Sequence, residues 1–148
     1  MAANTAAKTT DALDKTPALA DRDLLLSVYK AFNERNLEFV LTRLHPTVDW
    51  PNGMEGGRVH GRDEVREYWT RQWRVVDPHV EPLRFENLED GRIVADVRQV
   101  VHDLAGTSIL DQMIQHIYLI RDGQILGMEI REWPAASPDD SKNSADSP

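Results

Sequence analysis

The 148-residue chain suits a single domain with one core, and its 25 acidic against 17 basic side chains, a formal charge of −8, argue against partners bound by neutralising phosphates, nucleic acid above all. With no cysteine it has no disulfide, thiolate metal site or thiol nucleophile, so chemistry must use His, Asp, Glu, Tyr or Arg, and a reducing compartment fits. No apolar run approaches the roughly 18 residues of a membrane helix and the polar start lacks the apolar centre of a signal peptide, so a cytoplasmic protein without a membrane partner is expected.

Residues 1–20 and 134–148 are rich in Ala, Ser, Thr, Pro and Asp and are expected to be disordered tails around a folded unit at 21–133. Asp21 can cap a first helix carrying Leu24, Leu25, Val28, Tyr29 and Phe32, which breaks at Asn33-Glu34-Arg35-Asn36. Asn36 can cap a second, with Leu37, Val40, Leu41 and Leu44 on one face and Pro46 at its end. A short strand at 47–50 and a Gly53–Gly57 loop lead to a third helix from Gly61 or Asp63, which carries Val65, Tyr68, Trp69, Trp73 and Val76. From His79 the period falls to two, with strands expected at about 80–88, 92–103, 108–120 and 125–132 between Asp90-Gly91, Ala105-Gly106 and Asp122-Gly123. The expected class is α+β: a bent antiparallel meander, coned around a cavity, packed against three N-terminal helices.

The stretches LLLSVYKAFNERNLEFVLTRLHPTVDW, HGRDEVREYW and QHIYLIRDGQILGMEI, in this order and spacing, resemble the nuclear transport factor 2-like superfamily, in its SnoaL-like branch, over residues 21–133. The resemblance implies a cone-shaped α+β barrel with an apolar pocket, commonly a homodimer. The superfamily contains ketosteroid isomerases, polyketide cyclases, epoxide hydrolases, dehydratases and non-catalytic binding modules, so the fold alone does not choose a function. By the same resemblance Trp50 stands where ketosteroid isomerases keep the proton-abstracting carboxylate, and His116 where they keep the acid that donates to the developing enolate oxygen.

Strand alternation puts one of Asp49 and Trp50 into the pocket, and Trp50 as cavity wall is the plainer reading. With His116 placed inward, its companions are Leu110, Gln112, Ile114 and Tyr118. A three-residue Arg121-Asp122-Gly123 loop is expected, because it sets His116 opposite Met128 and sends Leu126, Met128 and Ile130 inward. A two-residue turn would instead oppose His116 to Glu129. At Ala105-Gly106 two registers stay open: the apolar set Ile93, Ala95, Val97, Gln99 and Val101 inward, which is preferred, or Val94, Asp96, Arg98, Val100 and His102, which would resemble epoxide hydrolase sites. The five histidines lie in separate elements without metal-ligand spacing, and no glycine-rich phosphate loop follows a strand, so neither metal nor cofactor is expected.

Two functions follow. One is a binding protein for an apolar small molecule, extending to cofactor-independent isomerisation, cyclisation or dehydration of a carbonyl compound, with His116 as acid or donor and Asp49 as base if it turns inward. Its ligand-binding residues would be Trp50, Trp69, Trp73, Gln99, Gln112, Tyr118 and Met128. The other is a non-catalytic dimeric module whose pocket its own side chains fill. An outer sheet face with Ile109, Met113, Ile117 and Leu119 points to a homodimer in either case.

Overall fold

A computed structural model of the protein describes residues 15–133. Residues 1–14 and 134–148, which hold most of the expected tails, lie outside the described residues. Three helices pack on one face of a six-stranded sheet: α1 (Leu19–Asn33), α2 (Leu37–Arg43), β1 (Leu44–Pro51), β2 (Arg58–His60), α3 (Gly61–Val75), β3 (Val76–Asn87), β4 (Ile93–Asp103), β5 (Ser108–Arg121) and β6 (Gln124–Glu132). Among the described residues no helix is long and apolar enough to cross a membrane.

Helix α1 starts two residues before the expected cap. Ala18 precedes it, with the buried Pro17 just outside, and Asp21 lies in the first turn, where a carboxylate suits the helix dipole. It buries Leu25, Val28, Tyr29 and Ala31 against the sheet and ends at Asn33, the chain then turning at Arg35, whose φ of 62° is the left-handed conformation usually left to glycine. Ion pairing of Arg35 with Asp77 and its packing 5.1 Å above the Trp73 ring hold that turn. Asn36 caps α2 as expected, accepting from the Phe39 N–H at 3.3 Å. The helix stops at Arg43, short of Pro46, because Leu44 already begins a strand.

The strand order is β2-β1-β6-β5-β4-β3. Strands β3 to β6 form the expected antiparallel meander, but the sheet is mixed, since β1 pairs in parallel with β6, and it does not close. The parallel partner brings the buried Leu44, Val48 and Trp50 onto the concave face beside Ile125 and Met128. Strand β2, directly after the expected Gly53–Gly57 loop, pairs with the end of β1 and sets Trp50 opposite Val59. The free edge of β3 is defended by Pro78, Pro82 and Asn33: the Asn33 amide donates to the Val80 carbonyl at 2.8 Å and accepts from its N–H at 3.0 Å. Further along, the Asn87 N–H donates to the Lys15 carbonyl.

The turns correct one expected register and keep the other. Asp122 and Gly123 have φ of 54° and 76° between paired Arg121 and Gln124, a two-residue hairpin turn rather than the three-residue loop. A bulge opposite Leu119 and Ile120 then shifts the pairing, so that His116 faces Ile130 and Tyr118 faces Met128, while Glu129 pairs with Ile117 on the other face. The apolar alternation thus wins through a bulge where the turn alone would have lost it. At the β4–β5 hairpin, Ile93, Ala95, Val97 and Gln99 pair with Tyr118, His116, Ile114 and Gln112, the preferred register.

Candidate functional site

A cavity of about 580 Å³ opens between the concave face of the sheet and helices α1 and α3. Exposure along its β5 wall gives its direction: His116 is 6% exposed, Ile114 is buried, Gln112 is exposed and Leu110 is 39% exposed. His116 therefore sits at the floor and Gln112 at the mouth.

Three polar side chains make the floor. The Tyr118 hydroxyl donates to the Tyr29 oxygen at 2.7 Å, and the Tyr29 hydroxyl lies 2.8 Å from His116 Nδ1, with the Tyr118 oxygen 3.4 Å from the same nitrogen. The Tyr29 and His116 rings are parallel within 2°, and Tyr118 stands edge-on to both. If Tyr29 donates to Nδ1, the ring proton of a neutral His116 is on Nε2, for which no described residue supplies a hydrogen-bond partner. Burial lowers the His116 pKa from 6.5 to about 4, so the imidazole is neutral at neutral pH. Burial also raises the Tyr29 and Tyr118 hydroxyls well above the ordinary tyrosine range, Tyr118 adding to the effect on Tyr29. The floor is a chain of neutral donors and acceptors.

Aromatic rings make the wall beside it. Trp50 packs edge-on to Trp69 at 5.4 Å and tilted to Tyr118 at 6.4 Å, and Phe32 packs against Trp69 at 5.2 Å. Met128 closes the wall from β6, and Gln99 and Gln112 meet near the mouth through a 2.9 Å amide hydrogen bond. On the α3 side the Tyr68 hydroxyl accepts from the Met54 N–H and from Gln72, pinning the loop after β1.

Of the residues named from the sequence, His116, Trp50, Trp69, Gln99, Gln112, Tyr118 and Met128 share this cavity. Trp73 does not line it: its ring lies behind Phe32 and Trp69, and its buried Nε1 meets no partner among the described residues. Asp49 points away from it, accepting from Arg58 Nε at 2.8 Å with His60 Nδ1 at 3.3 Å. The strand alternation that brings Trp50 in turns Asp49 out. Asp96 and Arg98 are also on the outer face, paired with Gln115 and Asp111. Sequence reasoning placed Tyr29 and Phe32 in the core of α1 and did not assign them to the pocket; the polar tip of Tyr29, on an otherwise apolar helix face, was the available sign.

No curated protein matches the chain. Among solved structures it is similar to TerC co-crystallized with polyporic acid, at 27% identity and a TM-score of 0.67, covering 77% of this chain and 92% of that one. An NTF2-like protein of Burkholderia pseudomallei is likewise similar, at 27% identity and a TM-score of 0.67, covering 78% and 92%. The epoxide hydrolase/cyclase-like enzyme SalBIII, described for pyran ring formation in the polyether salinomycin, shares the fold at 14% identity and a TM-score of 0.64, covering 76% and 89%. Residues 25–128, from the buried face of α1 to the Met128 wall of the cavity, match the SnoaL-like domain, and the chain belongs to that family within the NTF2-like superfamily.

Proposed function

We propose that the cavity binds an apolar small molecule carrying a carbonyl or similar acceptor oxygen, and that His116 donates its Nε2–H to that oxygen. The observation that carries this reading is the Tyr118–Tyr29–His116 chain at the floor of a mostly apolar cavity. A neutral imidazole oriented by Tyr29 polarises a carbonyl without adding a buried charge, and its hydrogen bond strengthens as negative charge grows on the oxygen. This supports cofactor-independent isomerisation, cyclisation or dehydration, in which stabilising an enolate-like oxygen is the demanding step. Asp49, turned out of the cavity and committed to Arg58, has no part in it. That TerC was co-crystallized with polyporic acid supports a small organic ligand here too.

A second reading, a binding module without catalysis, is favoured by the outward turn of Asp49, which leaves the floor without that carboxylate as base. Its version with a self-filled pocket loses support, since about 580 Å³ exceeds the roughly 300 Å³ at which ligand pockets begin. We also propose a homodimer through the outer face of β4 and β5, where Ile109 is 55% and Leu119 36% exposed.

Native mass spectrometry after incubation with a metabolite extract tests the binding. A retained small-molecule mass, lost in His116→Phe, is expected; a protein that retains nothing overturns the proposal.

A further inference from the structure

The cavity has a second polar pole. Gln99 and Gln112 face each other across β4 and β5, and Gln112 Nε2 donates to Gln99 Oε1 at 2.9 Å. That bond leaves both N–H groups of Gln99, the Gln112 carbonyl and one Gln112 N–H unspent, so the pair presents a donor beside an acceptor. Between this pair and His116 the two strands contribute Val97 and Ile114, both buried and apolar. The charged groups at the cavity are already committed: Arg58 to Asp49 and the Met128 carbonyl, Glu129 to Arg92.

We propose that the Gln99–Gln112 pair is a second polar subsite, which with His116 selects neutral, rigid ligands bearing a hydrogen-bonding group at each end. This rests on the reading that the cavity binds a small molecule with His116 at its floor. Gln112 and His116 lie four positions apart on β5, about 13 Å along an extended strand, and a hydrogen bond of about 2.8 Å at each end leaves about 7 Å between the ligand's polar atoms. Two fused six-membered rings, substituted at opposite ends, span that distance. A hydroxyl at the outer end would donate to the Gln112 carbonyl and accept from the Gln99 amide. A one-ended ligand would leave that donor and acceptor to water.

Calorimetric titration with two probes tests this: naphthalene with a hydroxyl at one far end, and naphthalene with a hydroxyl at both. The parent is expected to bind the two-ended probe roughly five- to ten-fold more tightly, beyond the statistical factor of a symmetric molecule. The double variant Gln99→Leu, Gln112→Leu is expected to bind both alike, apart from that statistical factor. Both amides are near the mouth, and a thermal melt of the variant checks its fold; the comparison on the parent stands without it. Equal binding of both probes to the parent overturns the second subsite and leaves the cavity reading in place. Binding of neither probe overturns both.

Discussion

The Tyr29 hydroxyl, carried on α1, lies 2.8 Å from Nδ1 of His116 on β5, a contact between residues 87 positions apart in the chain. It ties helix to sheet at the cavity floor. Tyr29→Phe removes the group that holds Nδ1, and the stranded nitrogen is expected to cost about 1–3 kcal/mol, read as a lowered denaturant midpoint. The Tyr118 hydroxyl, 3.4 Å from the same nitrogen, can turn toward it, so Tyr29→Phe with Tyr118→Phe is expected to cost more than Tyr29→Phe alone.

Stability is expected to fall with acid through His116. Burial lowers its folded-state pKa from 6.5 to about 4, so the unfolded chain takes up the proton first as pH drops. The contribution is intact above the unfolded value and is lost as pH falls through the window down to the folded value, about 2 kcal/mol of it by roughly pH 5. Melting curves at about pH 5 and about pH 8 are expected to show a smaller pH dependence for His116→Gln than for the parent. An identical pH dependence would mean that His116 does not titrate as a buried neutral group.

Much of this floor was legible in the sequence, because strand alternation with period two groups Gln112, Ile114, His116 and Tyr118 on one face whatever the turns do. The turns themselves were not legible. Asp122 adopts positive φ, and a bulge at Leu126 returns Met128 and Ile130 to the inward face, with Ile125 buried in place of the expected Leu126, after a turn that alone would have opposed His116 to Glu129. Alternation alone separates Asp49 and Trp50 only as one in and one out, and Trp50 as cavity wall is the plainer reading; the indole buries more apolar surface, and Asp49 finds Arg58 on the other side. The Tyr29 contact had only that hydroxyl on an apolar helix face to announce it, and its partner could not be read, since it depends on how α1 crosses the sheet.

The edge of β3 offers a test of the fold. Asn33→Ala exposes both the N–H and the carbonyl of Val80, and a loss of about 1–3 kcal/mol is expected together with a rise in concentration-dependent aggregation. Light scattering during a slow melt measures it; unchanged aggregation would show that Pro78 and Pro82 suffice.

The proposed dimer is tested by the mass in solution. Light scattering at micromolar concentration is expected to give twice the chain mass of 16.8 kDa, and Ile109→Lys with Leu119→Lys to give the monomer. A monomeric parent would contradict it.

The central claim, that a neutral His116 presents Nε2–H to a ligand at the cavity floor, is tested most directly by long-range proton–nitrogen NMR of the histidine rings at about pH 7, with and without the one-hydroxyl naphthalene probe. The expected spectrum shows His116 with its proton on Nε2 in the free protein, and that nitrogen and its proton shift when the probe binds. A His116 protonated on Nδ1, a charged ring, or an Nε2 resonance unmoved by a probe that binds would contradict it.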